Sequence, residues 1–341
     1  MPLKFALTRI STGHELTTEE AESVMHALLR GDSPPEQTAG LLMGLRARGE
    51  TIEELAAFTR VMRQYAIPVR STDPNTIDIV GTGGDHAGSF NISTAAMFAA
   101  AGAGASVAKH GNRSVSSMCG SADVLEALGV RIDLSAAGVE ACLRETGTGF
   151  MFAPLFHPAL RFVMPVRRAL GVRTIFNILG PLCNPAGVKR GVFGAFSGDV
   201  AETSAEILAR LGSEHVFAVH SEDGLDEFSP SAATRVFEQL RRETPVVRSV
   251  RPEDVGLTSS PLDSVRGGKA DVNAEILRSV LAGRVGPYRD VVILNAAFAL
   301  VAAGVASTPI EGAERAAAAL DDGSAARKLS RLVDASRSQG A

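Results

Sequence analysis

The sequence predicts an α/β protein in which a small all-helical unit precedes a larger domain with a mostly parallel central sheet flanked by helices. Three observations carry this reading. Helix start signals recur in the first 70 residues, short β-branched runs alternate with helical ones from Ile77 onward, and glycine-rich loops fall where strands hand over to helices. With 341 residues, 45% hydrophobic and 21% charged, the chain can bury a full core and lies outside the disordered, collagen-like and disulfide-rich classes. Lys and Arg number 34 against 38 Asp and Glu, and the net charge of -4 gives no general attraction for nucleic acid or an anionic membrane.

The helical unit comes first. Thr17 with Glu20, Ser33 with Glu36, and Thr51 with Glu54 each fit a capping box, in which a hydroxyl and a carboxylate satisfy amides of the first turn. Pro34 follows Ser33 at the first helical position, where its missing N–H is harmless. Apolar stripes recur at Ala21, Val24, Met25, Leu28 and Leu29, and at Leu55, Phe58, Met62 and Tyr65, with Gly31, Gly49 and Pro68 as stops. The polar stretch 68–76 contains two prolines and reads as an interdomain connection.

Beyond it, strands are predicted over 77–80, 105–108, 130–132, 191–196 and 215–220, and helices over 121–128, 200–211 and 272–281. The apolar stretches 95–105 and 291–306 are too short to span a membrane and read as buried helices. The Ala- and Ser-rich tail after Ser324 is expected to fray. Cys119, Cys142 and Cys183 form no CxxC pattern and read as small, semi-buried thiols, and no secretory signal is evident, so the cytoplasm is the expected compartment.

Three loops carry the chemistry. In 78–85, a strand runs into Gly81-Thr82-Gly83-Gly84-Asp85, where glycines let backbone amides approach a phosphate and Asp85 can hold a metal or its water. Ser89-Phe90-Asn91-Ile92-Ser93-Thr94 precedes an Ala-rich helix that Ser93 or Thr94 can cap, and a helix N-terminus with hydroxyls is an anion site. Lys109-His110-Gly111-Asn112-Arg113-Ser114-Val115-Ser116-Ser117 packs two permanent cations, an imidazole, an amide and three hydroxyls into nine residues, which suits several phosphate oxygens. Gly120-Ser121-Ala122-Asp123 then opens a further helix. Ligands collect at the carboxyl ends of parallel strands, so these loops are expected to converge.

In this order and spacing, GTGGD, NIST, KHGNRSVSS and GSADVLEALG resemble the anthranilate phosphoribosyltransferase family. The resemblance extends over most of the chain, through His157-Pro158-Ala159, Arg167-Arg168, the stretch 173–177, Gly180-Pro181-Leu182, Gly224-Leu225-Asp226-Glu227 and Asn295-Ala296-Ala297. It implies a fold of the nucleoside phosphorylase and phosphoribosyltransferase type, with a helical domain at 1–72 completed by a segment near 165–188, and an α/β domain formed by 73–164 and 189–341. It also implies a homodimer joined through the helical domain, with no nucleic-acid or membrane partner.

The reaction implied is transfer of the phosphoribosyl group of 5-phosphoribosyl 1-pyrophosphate to the amine of anthranilate, in tryptophan biosynthesis. By the family match, Gly81, Gly84, Asp85, Ser89, Asn91, Ile92, Ser93, Thr94, Lys109 through Ser117 and Ser121 would surround the phosphoribosyl substrate. Lys109, Asn112 and Arg113 would stabilise the departing pyrophosphate. Gly81, Asn112, His157 and Arg167 would face anthranilate, although spacing alone does not choose Arg167 over Arg168 or Arg173 for its carboxylate. Ser93, Asp226 and Glu227 would hold Mg²⁺, which takes oxygen ligands and often only one or two protein carboxylates. There are two other readings: a pyrimidine nucleoside phosphorylase-like enzyme, whose fold would be shared but whose phosphate loop differs from the KHGNR run found here, and a non-catalytic relative that binds nucleic acid.

Overall fold

A computed structural model describes residues 2–85, 87–114, 118–241 and 243–339. Four helices come first: α1 (Pro2–Ser11), α2 (Thr18–Arg30), α3 (Pro35–Arg48) and α4 (Ile52–Tyr65). Thr17 and Thr51 cap α2 and α4 through complete capping boxes with Glu20 and Glu54, as the sequence indicates. The start at Ser33 is not used. Pro34 precedes a second proline, which drives it out of the helical region to ψ 142°, so α3 begins at Pro35 and no side chain caps it. The α1 helix was not expected from the sequence.

The apolar faces of these helices bury Met25, Leu28, Leu41, Leu42, Leu45 and Phe58 in one core. That core also receives Val163, Val166, Ile175, Phe176, Leu179 and Leu182 from much later in the chain. Burying such stripes against one another is what holds short helices together.

The remaining elements alternate. In order they are β1 (Ile77–Gly81), α5 (Ile92–Gly102), β2 (Val107–Gly111), α6 (Ser121–Ala127), α7 (Ala136–Thr146), β3 (Thr148–Phe152), α8 (Ala153–Phe156), α9 (Met164–Leu170), α10 (Ile175–Leu182), β4 (Arg190–Gly194), α11 (Gly198–Arg210), β5 (His215–Ser221), β6 (Thr234–Leu240), β7 (Val246–Val250), α12 (Ala270–Leu281), α13 (Pro287–Ala302), α14 (Pro309–Asp321) and α15 (Ser324–Ser338). The sheet has seven strands in the order β3-β2-β1-β4-β5-β6-β7. The first five in this order are parallel, and β6 and β7 add an antiparallel edge. Register pairs Ile79 with Val192 and Gly81 with Gly194, which brings the carboxyl ends of β1 and β4 to one edge of the sheet.

Three expectations are corrected. The strand anticipated at 105–108 lies at 107–111, because Ala105 still donates to the Ala100 carbonyl at the close of the preceding helix. Lys109 and His110 therefore sit on the strand itself. The stretch 130–132 is not a strand; Val130 and Ile132 are buried from irregular backbone, and the third parallel strand is β3. The tail does not fray, since α15 packs on α5 and α7 and buries Ala325, Leu329 and Leu332. Its Ala content is helix propensity finding a packing surface. The stretches 95–105 and 291–306 fall largely within the buried helices α5 and α13, which end at Gly102 and Ala302, and among the described residues no helix is long and apolar enough to cross a membrane. All three cysteines are buried and none is in a disulfide.

Candidate functional site

At the carboxyl ends of β1 and β5, two acidic side chains are drawn into the fold by backbone amides. Asp226 Oδ2 accepts the Gly83 N–H at 2.6 Å, and Glu227 Oε1 accepts the Ser93 N–H at 2.9 Å. The glycines explain how Asp226 fits. A Cβ at Gly81 would collide with its carboxylate, and one at Gly194 would overlap its backbone carbonyl. Gly83 and Gly84 take φ +66° and +73°, the left-handed conformation that turns the loop amide toward the acid. The glycine-rich loop thus serves first to seat an acid of its own chain.

Burial pushes the Asp226 and Glu227 carboxyls upward; repulsion from nearby Asp85 adds to both, and repulsion from Asp226 adds to Glu227. One positive charge lies beneath them. Lys109 is 2% exposed and its ammonium donates to the Ile79 carbonyl and, at 3.2 Å, to Ser93 Oγ. Burial lowers its pKa, opposed by attraction to Asp78, Glu227 and Asp226. The donor set is all oxygen, with no His or Cys, and among the described residues no group of three or more His, Cys, Asp or Glu side chains could hold a metal. That combination fits Mg²⁺, which takes a carboxylate or two from protein and completes its shell with phosphate and water.

The helix-terminal loop is built differently from the sequence expectation. Asn91, not Ser93 or Thr94, occupies the cap position of α5, and its side chain makes no cap bond. Instead Asn91 Nδ2 donates to the Cys119 carbonyl, and its Oδ1 accepts from Asn273 Nδ2 at 2.9 Å. Ser93 and Thr94 sit in the first turn; the Thr94 hydroxyl is buried without a partner. Ile92 is fully buried, and Ser89 forms an antiparallel bridge with Arg266.

The third loop leaves β2 at Gly111, where a Cβ would strike Ser121 Oγ and the Phe150 ring. The Asn112 carbonyl accepts from the Ala122 N–H at 3.1 Å and the Ser121 hydroxyl at 3.4 Å. Arg113 is turned onto α6, bonding Asp123 at 2.9 Å and Glu126 at 2.8 Å. Val115, Ser116 and Ser117 lie outside the described residues.

A second group of residues gathers around 157–177. The His110 and His157 rings meet in a tilted contact with centroids 5.0 Å apart, and each has a buried Nε2 without a partner among the described residues. Burial holds the His110 imidazole at about 3 and that of His157 at about 4, so both are neutral near pH 7. Arg167 lies over the Phe176 ring at 5.2 Å, and its guanidinium reaches Met164 Sδ at 3.5 Å. Desolvation lowers its pKa. Arg173 is used elsewhere: it donates to the Gly84 carbonyl and packs over Phe196 at 4.1 Å, while Arg168 is exposed. None of the three arginines makes an ion pair among the described residues, and Arg167 is the half-buried one whose guanidinium has no oxygen partner there.

Supporting residues that motif reading passed over hold these groups in place. Asn184 donates to Asp78 Oδ2 at 2.7 Å and to the Ala108 carbonyl at 2.8 Å, tying β1 to β2 beneath Lys109. Asn295, from a motif that carried no assigned role, accepts the Phe228 N–H at 3.1 Å and donates to the Phe228 carbonyl at 3.0 Å, fixing the backbone next to Glu227. The sequence signal was present for both: an amide side chain inside an otherwise apolar run has to find partners.

Fold and site together define a two-part glycosyltransferase. The chain matches the model of the glycosyl transferase family a/b domain over residues 73–326 and that of the family's helical bundle domain over residues 4–66. An anthranilate phosphoribosyltransferase from Salinibacter ruber is 54% identical over 335 residues, covering 97% of each chain. The crystal structure of anthranilate phosphoribosyltransferase from Thermus thermophilus matches with TM-score 0.92 at 44% identity, over 97% of this chain and 99% of that one. The Saccharomyces cerevisiae anthranilate phosphoribosyltransferase in complex with PRPP and Mg matches with TM-score 0.89 at 26% identity, over 98% of both. The chain belongs to the anthranilate phosphoribosyltransferase family.

Proposed function

We propose that this site transfers the phosphoribosyl group of 5-phosphoribosyl 1-pyrophosphate to the anthranilate amine, releasing pyrophosphate and giving N-(5-phosphoribosyl)anthranilate for tryptophan biosynthesis. The observation that carries the reading is the pairing of a buried, amide-held acid cluster with a separate half-buried arginine that lacks an acid of its own. A nucleoside phosphorylase attacks ribose with phosphate, and its phosphate loop differs from the Lys109-His110-Gly111-Asn112-Arg113 run found here. The chain's acidic balance disfavours the nucleic-acid-binding alternative.

In this reading the amine nitrogen forms the new bond to C1 of the ribose, and the C1–O electron pair leaves with pyrophosphate. The nitrogen then gives up its proton, now acidic, to water or to the departing pyrophosphate, so no strong base is needed; the neutral His110 and His157 orient rather than abstract. The main demand on the protein is alignment of two substrates and stabilisation of the leaving charge. Gly81, Gly84, Asp85, Ser89, Asn91, Ile92, Ser93, Thr94, the stretch 109–117 and Ser121 surround the phosphoribosyl substrate. Lys109 supplies buried positive charge, with Asn112 and Arg113 bordering the pyrophosphate side. Arg167 receives the anthranilate carboxylate, with Gly81, Asn112 and His157 along its ring.

Asp226, Glu227 and the Ser93 hydroxyl would hold Mg²⁺. When bound, the ion supplies charge neutralisation for the pyrophosphate.

The helical domain is taken as 1–72 plus 165–188, supported by the core those segments share, with 73–164 and 189–341 as the α/β domain. A homodimer through the helical domain is supported by Phe5 on α1 and Met43 on α3, large apolar side chains left exposed. Cytoplasmic location is supported by three cysteines with no disulfide among them. Mixing the protein with anthranilate, 5-phosphoribosyl 1-pyrophosphate and Mg²⁺ should quench anthranilate fluorescence; a folded protein that leaves the signal unchanged refutes the reading.

A further inference from the structure

The loop between β2 and α6 is closed at its base by one side chain. Asp123 Oδ2 accepts the N–H of Ser114 at 3.0 Å and that of Gly120 at 2.9 Å, so one oxygen joins backbone from either end of the loop. Its other oxygen takes the Arg113 guanidinium at 2.9 Å. Glu126, one turn further along α6, holds the same guanidinium through both oxygens, at 2.8 and 3.2 Å. The two ends of the loop also touch directly: a Cβ at Gly120 would fall on the Ser114 nitrogen and, at 2.6 Å, on the Arg113 carbonyl carbon and the Asn112 carbonyl oxygen. Only glycine permits that approach.

This arrangement exceeds what a helix cap requires. A cap needs the N–H of Gly120 alone; the bonds to Ser114 and Arg113 reach back across the loop. Charge-assisted bonds to an ionised carboxylate are the stronger kind, and three of them converge here. A loop that must order around phosphate oxygens binds more tightly when its ends are already fixed, because less conformational freedom is lost at the moment of binding.

We propose that Asp123 is a positioning residue that pre-forms the phosphoribosyl pyrophosphate loop, with Arg113 and Glu126 completing the clasp, so that Arg113 acts on the substrate through the loop's shape. The inference rests on the reading of 109–117 as the phosphoribosyl side of the site. It touches neither the Arg167 side nor the chemistry, so its effect falls on one substrate.

Steady-state kinetics of Asp123→Ala test it. The KM for 5-phosphoribosyl 1-pyrophosphate should rise about 30-fold, with the KM for anthranilate and kcat within about threefold of the parent, as expected for a lost ordering contribution. Asp123→Asn, which keeps one acceptor, should fall between the two. A KM for the phosphoribosyl substrate within twofold of the parent, or equal rises for both substrates, overturns the proposal. Amide hydrogen exchange of the unaltered protein provides a measurement independent of turnover and of variant folding. The Ser114 and Gly120 amides should exchange at least tenfold more slowly than the exposed Asn112 amide; equal rates overturn the clasp. If the unaltered protein shows no turnover with 5-phosphoribosyl 1-pyrophosphate while those amides are protected, the reading of the site fails and the clasp stands.

Discussion

The two sides of the site solve recognition in different ways. On the proposed phosphoribosyl side, the loops after β1 and β2 and the start of α5 work mainly through backbone: amides of Gly83 and Ser93 hold acids, and glycines at 81, 111, 120 and 194 clear space for neighbours. On the proposed anthranilate side, the Arg167 guanidinium and the neutral His157 imidazole, carried by the segment between β3 and α10, would do the work through side chains. Backbone recognition suits a ligand rich in phosphate oxygens. A flat aromatic acid offers one charge and two faces, and a few side chains in a desolvated pocket suffice.

If this division is right, variants on one side should spare the other. The largest effect is expected from Asp226→Asn combined with Glu227→Gln, which should lower kcat/KM by about a hundredfold or more, the scale of losing a charge-stabilising group. Preserved activity would place the metal elsewhere. Next, Arg167→Ala should raise the KM for anthranilate by about 30- to 100-fold, the cost of removing a charged partner from a buried pair, with the KM for 5-phosphoribosyl 1-pyrophosphate within twofold. Equal damage to both substrates would move the carboxylate contact away from Arg167.

Smaller effects probe the supports. Asn295→Ala leaves the N–H and C=O of Phe228 without their partner, so urea unfolding should show a loss of about 1–3 kcal/mol. Stability equal to the parent would mean that another group, such as the Phe298 ring stacked on Phe228 at 4.0 Å, holds the Asp226-Glu227 backbone.

The smallest expected effect concerns pH. The imidazole of His157 lies at about 4 in the folded protein because it is buried, against about 6.5 when unfolded. Because the folded value is the lower one, the unfolded chain takes up the proton first. The contribution is fully present above about pH 6.5 and is lost as pH falls toward 4. Between pH 7 and 5 the parent should lose about 2 kcal/mol relative to His157→Gln; parallel stability curves would show that His157 is solvated.

The same division explains what could be read in advance. Glycine loops, helix caps and βα alternation are local, so the GTGGD loop, the boxes at Thr17 and Thr51, and the strands at β1, β4 and β5 were legible. The Ser33 start was lost to a local rule of its own, the Pro34-Pro35 pair. The stretch 130–132 shows the limit, since buried apolar residues report burial and not strand pairing. Arg167 could be separated from Arg168 and Arg173 only in three dimensions, where Arg173 proved committed to the Gly84 carbonyl and Arg168 to solvent. The family resemblance named Arg167, but no spacing rule could have. Likewise Asp123 was visible as the fourth residue of Gly120-Ser121-Ala122-Asp123, a cap signature, yet its reach to Ser114 depends on loop ends that meet in space.

The division itself is tested most directly by titrating Mg²⁺ into turnover assays of Asp226→Asn/Glu227→Gln and of Arg167→Ala, side by side with the parent. The Mg²⁺ concentration for half-maximal rate should rise about tenfold or more in the acid variant, as for loss of charged ligands, and stay within twofold in the arginine variant. An unchanged Mg²⁺ requirement in the acid variant, or the same shift in both, would contradict the two-sided site.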